Sequence, residues 1–259
     1  MELFDSHAHY DDEKFNEDRE EIIKNIYESG VTKLVSAGYS VDSSKYGVIL
    51  SNKYEYIYTT AGVSPNDIPN SKEKIDEVLK QIEQIAVSCD KVRAIGEIGL
   101  DYYWNTENKE LQLYAFKKQI EIANRLGLPI QIHTRDAVMD TIEIVRNTDF
   151  SKPGIFHCCP FNKDLVKTGI EKGFFISFAG PVTFKNSKNA EEIVKMVPLN
   201  QILIETDSPY LSPEPNRGKR NDSRNVVHIA QKIADYKNMK LEEIADVTYQ
   251  NAKRAFGIR

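Results

Sequence analysis

The sequence predicts an α/β fold, a (β/α)₈ TIM barrel in which residues 1–259 form a single domain. Eight short β-rich runs alternate with helix-like segments, and barrels of this kind commonly contain about 250 residues. A hydrophobic fraction of 41% beside 28% charged residues is ordinary for a globular chain that buries a sizeable core. Length, composition and alternation therefore agree on one large barrel.

The predicted strands are runs rich in β-branched and other apolar residues. They cover residues 3–6, 33–36, 56–61, 92–98, 129–133, 154–157, 174–178 and 202–206. Several are apolar on consecutive residues, such as Ile202-Leu203-Ile204. That pattern is typical of parallel strands covered by helices on one face and by the barrel interior on the other.

The predicted helices lie between these runs, and the clearest spans residues 107–126. Its apolar residues recur at three- and four-residue spacing: Leu113, Phe116, Ile120 and Ala123. Gly127 supplies a helix stop. Two further helices, at about residues 223–236 and 241–256, are expected to close the chain against the barrel wall.

The chief alternative is an open, doubly wound sheet. Nucleotide-binding sheets of that type carry a glycine-rich phosphate loop after the first strand. No such loop follows residues 3–6, so the pattern favours the barrel.

Histidines and carboxylates cluster at the ends of the predicted strands, where a barrel builds its active site. His7 and His9 are two residues apart, and a period of two aims both side chains to one face. His133 and His157 close the fifth and sixth strands. Glu97 and Asp207 add carboxylates at the fourth and eighth strands, which completes a set of six candidate metal ligands.

A mixed imidazole and carboxylate set suits Zn²⁺, Mn²⁺, Fe or Ni²⁺, and it tolerates Mg²⁺ when water completes the shell. The net charge of −5 argues against a broad cationic surface for nucleic acid. A polyanionic substrate would therefore be gripped locally, by the metal ions and by nearby basic side chains. The candidates for that contact are Arg135, Arg217, Lys219 and Arg220.

Other residues near the strand ends receive secondary interpretations. Asp5 and Glu205 share the predicted inward parity and could orient ligands from behind. Trp104, with Tyr102 and Tyr103, could stack on a base or sugar. The remaining polar candidates are interpreted as structural: His228 as a surface residue, Cys158 and Cys159 as packing residues.

Together these motifs resemble the TatD family of metal-dependent deoxyribonucleases, within the amidohydrolase-like barrel superfamily. The resemblance is carried by DSHAH at residues 5–9, GEIGLDYYW at 96–104, His133, His157, and ETDSPYL at 205–211 with the following NRGKRN. It implies two divalent ions. His7, His9, Glu97 and Asp207 would hold one, and Glu97, His133 and His157 the other, with Glu97 as the bridge.

The function expected from the resemblance is hydrolysis of DNA phosphodiester bonds by an exonuclease that trims accessible, single-stranded or frayed ends. Asp207 is the candidate to orient or deprotonate the attacking water. The alternative is hydrolysis of a small ester, amide or lactone at the same binuclear site. A third hypothesis is a non-catalytic protein whose metal ions are saturated by protein ligands.

The sequence also carries expectations about location. It has no run of about 18 apolar residues and no signal-peptide pattern at its start, so we expect a cytoplasmic protein. Neither membrane association nor an obligate protein partner is expected. The three cysteines, two of them adjacent, fit a reducing compartment.

Overall fold

The computed structural model describes residues 1–259 and contains one sheet of eight parallel strands in sequence order. The strands are β1 (Leu3–Ala8), β2 (Val31–Ser36), β3 (Ile57–Ala61), β4 (Val92–Asp101), β5 (Ile130–Arg135), β6 (Ile155–Phe156), β7 (Phe175–Phe178) and β8 (Ile202–Ile204). The chain after β8 returns to β1 through a bridge between Ala8 and Ser208. The sheet therefore closes on itself, and the predicted (β/α)₈ barrel is confirmed.

Helices follow the strands and cover the outside of the barrel. They are α1 (Arg19–Glu28), α2 (Val41–Lys53), α3 (Lys72–Ser88), α4 (Lys109–Leu126), α5 (Val138–Arg146), α6 (Lys163–Glu171), α7 (Ala190–Met196), α8 (Val226–Lys237) and α9 (Leu241–Ala255). The predicted helix at 107–126 corresponds to α4, which ends on Gly127 in the left-handed conformation (φ 65°). No helix combines the length and the apolar composition that spanning a bilayer would require.

The hydrophobic core has two parts. A large cluster fills the space between strands and helices, whereas a smaller one occupies the amino-terminal end of the barrel interior. In the smaller cluster Phe4 of β1 lies 6.0 Å from the ring centroids of both Tyr249 and Phe256. The end of α9 therefore closes the bottom of the barrel, and the opposite, carboxyl end is left for the site.

β1 departs from the alternation that the sequence analysis assumed. Its pairing with β2 shifts register between Asp5 and Ala8. The Asp5 carboxylate accepts hydrogen bonds from Thr206 and from Ser223, which lies in the turn before α8 in the helical layer. The expected inward orientation of Asp5 is therefore wrong, because the irregular backbone breaks the period of two. Asp5 instead joins β1, the end of β8 and the helical layer.

Candidate metal centre

The six candidate ligands converge at the carboxyl end of the barrel. Three lie within strands β1, β4 and β5, two directly follow β1 and β6, and one lies three residues after β8. The set consists of His7, His9, Glu97, His133, His157 and Asp207. The six side chains predicted from the strand ends therefore lie close together in the structure.

One group of ligand atoms surrounds the end of β1. The Nε2 atoms of His7 and His9 lie 3.0 Å apart, and the Asp207 Oδ1 lies 3.6 and 3.4 Å from them respectively. Glu97 Oε2 lies 3.5 Å from His7 Nε2 and 3.6 Å from His9 Nε2. Ligands held about 2.1 Å from a tetrahedral ion are separated by roughly 3.4 Å. The spacing of these atoms fits one divalent ion.

The second group uses the other oxygen of Glu97. Glu97 Oε1 lies 3.0 Å from His133 Nδ1 and 3.5 Å from His157 Nε2, and those two nitrogens are 3.2 Å apart. Three protein ligands are the usual number in a catalytic zinc site, which keeps a position for water or substrate. Glu97 therefore presents one oxygen to each group, as a bridging carboxylate would.

Glu97 is ionised in this setting. Burial alone would raise the pKa of its carboxyl, but the facing His157 and His133 rings outweigh burial and hold that pKa well below its usual range. An ionised carboxylate between two sets of imidazoles is a strong attractor for divalent cations. The chemistry of the site, as well as its spacing, fits metal binding.

The second ring nitrogens of three ligands are held from behind, which fixes ring orientation. His9 Nδ1 lies 3.2 Å from the carbonyl oxygen of Ala37. His157 Nδ1 lies 3.2 Å from Glu205 Oε1, which also accepts a hydrogen bond from the Cys158 backbone N–H. Glu205 therefore lies behind a candidate ligand, where the sequence analysis expected it to orient one.

Asp101 supports the third of these histidines, His133, and was not singled out from the sequence. Its Oδ2 lies 3.0 Å from His133 Nε2. The signal was available, because Glu97, Gly99 and Asp101 alternate along β4 and all lie in the GEIGLDYYW block. Gly99 is required between them: its φ is 139°, and an added Cβ would lie 2.0 Å from the His133 carbonyl oxygen.

The metal centre forms the floor of a cavity of about 830 Å³. All the candidate ligands line this cavity except His7, which is fully buried beneath it. The lining includes the aromatic side chains of Tyr39, Trp104 and Tyr210, and three acidic residues outside the ligand set: Asp12, Asp67 and Asp136. The cavity therefore carries negative charge beyond that of the candidate ligands.

Of the four predicted substrate-binding cations, the structure brings only Arg135 to the cavity lining. Its guanidinium lies 3.7 Å from the ring centroid of Tyr103 and 5.4 Å from that of Trp104. The other three, Arg217, Lys219 and Arg220, are not among the lining residues. Arg220 instead forms a two-pronged ion pair with Asp18, and the Arg217 guanidinium stacks 4.2 Å from the ring centroid of Phe184.

The remaining side chains noted in the sequence divide between the cavity and the scaffold. Trp104 and Tyr103 are 67% and 54% exposed, which leaves their rings free to meet a ligand, whereas Tyr102 donates its hydroxyl to Asp140. Cys158 lines the cavity, but burial raises the pKa of its thiol well above its usual range, so a thiolate is not available. His228 is half-buried on α8, away from the metal centre.

Comparison with known proteins agrees with this architecture. The family model described as "TatD related DNase" matches residues 4–257. The chain is 39% identical over 257 residues to the uncharacterized metal-dependent hydrolase YabD of Bacillus subtilis, with 99% of each chain covered. It superposes on YjjV, a TatD homolog from Escherichia coli, with a TM-score of 0.91 at 22% identity, covering 99% of this chain and 98% of that one.

A more distant structural likeness is to the β-aspartyl dipeptidase of Fervidobacterium islandicum AW-1. Its TM-score is 0.67 at 15% identity, with 99% of this chain and 74% of that chain covered. At such identities the likeness concerns the barrel fold alone.

Proposed function

The chain belongs to the TatD-related DNase family and is a metal-dependent hydrolase, and on that premise we propose that it is a deoxyribonuclease that hydrolyses DNA phosphodiester bonds. We propose further that residues 1–259 act as one catalytic domain holding two divalent ions, of Zn²⁺, Mg²⁺, Mn²⁺ or Ni²⁺. The observation that carries the proposal is the pair of Glu97 oxygens, each facing its own group of ligand atoms. Two adjacent ions are a recurrent solution for phosphodiester hydrolysis.

The proposed roles follow from position. One ion would be held by His7, His9, Asp207 and Glu97, and the other by Glu97, His133 and His157. Divalent ions bound there would lower the pKa of a bound water and polarise a phosphoryl oxygen. The Asp207 carboxylate, at the floor of the cavity, would orient the attacking water and accept its proton. Arg135 would donate to a phosphate oxygen.

The cavity supports action at strand ends. Its lining carries Asp12, Asp67 and Asp136 against a single Lys or Arg side chain, Arg135. A duplex docked on the cavity would bring several phosphates close to these carboxylates, and like charges at short range are unfavourable. A terminal nucleotide needs to bring only one phosphate to the metal floor, while its base meets the exposed ring of Trp104. We therefore propose an exonuclease that prefers single-stranded or frayed ends.

The test is a hydrolysis screen of the purified protein, stripped of metal and reconstituted separately with each candidate ion. The substrates are single-stranded DNA labelled at either end, blunt duplex DNA, circular single-stranded DNA, RNA, and a panel of esters, amides and lactones. We expect single-nucleotide products from linear single-stranded DNA and resistance of the circle. Glu97→Gln is the negative control, because it removes the shared charge with little change in shape.

A second candidate function is hydrolysis of a small ester, amide or lactone at the same centre. The acidic residues of the cavity lining favour it, since a small neutral or cationic substrate would enter without repulsion. The barrel of the β-aspartyl dipeptidase, which is named for an amide substrate, has the same overall fold. Hydrolysis of a panel compound at a rate well above that of every DNA substrate would replace the nuclease proposal with this one.

A further inference from the structure

Asp101 is the last residue of β4 and is almost fully buried. Four nitrogen atoms surround its carboxylate. Oδ2 lies 3.0 Å from His133 Nε2 and 3.2 Å from Asn66 Nδ2. Oδ1 accepts hydrogen bonds from the backbone N–H groups of Tyr103, at 3.0 Å, and Trp104, at 3.2 Å. One carboxylate thus joins the metal centre to the aromatic segment of the cavity wall.

His133 lies between two carboxylates, with Nε2 facing Asp101 and Nδ1 facing Glu97. An ionised carboxylate only accepts hydrogen bonds, so the neutral ring can donate from Nε2 to Asp101 or from Nδ1 to Glu97. When Nδ1 is a metal ligand, His133 must donate from Nε2 to Asp101. Its Nδ1 then presents a lone pair, and this is the atom that lies 3.0 Å from Glu97 Oε1 and 3.2 Å from His157 Nε2. The tautomer selected by Asp101 is the one able to bind a metal ion.

The other carboxylate oxygen of Asp101, Oδ1, holds the Tyr103–Trp104 segment beside His133. With their backbone N–H groups bonded to Asp101, Tyr103 and Trp104 present their rings to Arg135, whose guanidinium lies 3.7 Å from the Tyr103 ring centroid. Asp101 and Arg135 are also direct partners in the β4–β5 pairing. A change at Asp101 would therefore reach both His133 and the surface proposed to meet a base.

We propose that Asp101 is a positioning residue that sets the metal-binding tautomer of His133 and fixes the Tyr103–Trp104 wall against it. This inference rests on the proposed two-ion centre. Outer partners of metal-bound histidines typically contribute about 10–100-fold to metal affinity. The effect should be confined to the ion held by Glu97, His133 and His157, because Asp101 contacts none of the ligands around the end of β1.

The test is Asp101→Asn, which keeps the shape. The amide oxygen can still accept from the backbone of the aromatic segment, but the new amide nitrogen faces His133 Nε2 and can only donate. His133 must then carry its proton on Nδ1 and point it at Glu97. Nitrogen-15 NMR of the Zn²⁺-loaded wild type should show His133 protonated on Nε2. The metal-free variant, above the pH at which the ring titrates, should show the Nδ1–H tautomer.

Metal binding supplies the second readout. Calorimetric titration with Zn²⁺ should show two sites in the wild type, one of which weakens about 10–100-fold in Asp101→Asn while the other is unchanged. Asp140→Asn is the matched control, because this neighbouring carboxylate bonds Tyr102 and Lys109 and touches no ligand. It should retain the wild-type tautomer and both sites.

The outcomes separate this inference from the proposed function. A proton on His133 Nδ1 in the Zn²⁺-loaded wild type, or the Nε2–H tautomer in metal-free Asp101→Asn, would overturn the inference. A wild type that binds a single Zn²⁺ but shows the Nε2–H tautomer would overturn the two-ion proposal and leave the tautomer assignment standing. If Asp101→Asn fails to fold, Asn66→Ala, which removes only the other partner of Oδ2, must preserve the Nε2–H tautomer.

Discussion

Replacing Asp207 with asparagine separates proton transfer from metal binding. The amide keeps the shape of the carboxylate and one acceptor oxygen, at a position 3.4 Å from His9 Nε2 and 3.6 Å from His7 Nε2. It cannot accept the proton of the attacking water. Removing a general base usually costs about 10²–10⁴ in rate, which is roughly 2.7–5.4 kcal/mol of activation free energy. Asp207→Asn should therefore fold and lose hydrolysis by at least about two orders of magnitude.

The assay is single-turnover cleavage of end-labelled single-stranded DNA across a metal titration, with bound metal measured by mass spectrometry in the same samples. A rate that recovers at high metal concentration would show that Asp207 acts as a ligand, whereas a rate that stays low with both ions bound would show a role in proton transfer. Asp12→Asn is the matched control, since Asp12 lines the same cavity and bonds the Tyr210 hydroxyl instead of the ligands. Wild-type turnover by Asp207→Asn with its metals in place would refute the assignment.

Three further predictions concern the cations near the cavity, the residue that supports His157, and the packing at the amino-terminal end of the barrel. Arg135→Ala should raise KM for single-stranded DNA more than the double variant Arg217→Ala/Lys219→Ala does, because only Arg135 lines the cavity. The double variant should leave the hydrolysis of a small phosphodiester almost unaffected. Glu205→Ala removes the acceptor of two buried hydrogen bonds, so calorimetry of the metal-free protein should show a loss of about 3 kcal/mol and a fall in Tm of roughly 6–12 °C. Phe4→Ala should cost about 3–5 kcal/mol in urea unfolding while metal stoichiometry stays unchanged, because Phe4 packs at the far end of the barrel. Loss of metal from that variant would contradict the view that packing at the amino-terminal end of the barrel is independent of the metal centre.

The fold and the convergence of the six candidate ligands could be predicted from the sequence because each depends on a local pattern. Buried parallel strands require consecutive apolar residues, and a barrel gathers strand ends on one rim. His133 and His157 needed nothing beyond their position after such runs. Even β6, reduced to Ile155–Phe156, lies within its predicted run.

The misplaced residues depend on information that a local pattern does not contain. The period of two failed at Asp5 because the backbone shifts register within β1. Arg217, Lys219 and Arg220 follow β8 and were expected beside the metals, yet the strand end does not fix the path of the segment after it, and Arg220 extends back to Asp18 near the start of α1. Asp101 alternates with Glu97 along β4, but only its contact with His133 on β5 shows which ligand it supports.

The charge of the site bears on how any substrate arrives. Two divalent ions would be balanced by four nearby carboxylates, those of Glu97, Asp207, Asp101 and Glu205. The further acidic residues of the cavity lining then leave no long-range attraction for a polyanion, and the chain's net charge of −5 adds none. Binding must therefore come from short-range contacts, at the metal floor and on the Tyr103–Trp104 wall. Such a site selects substrates that can enter it, which is why the accessibility of a strand end, more than the number of phosphates, should govern cleavage.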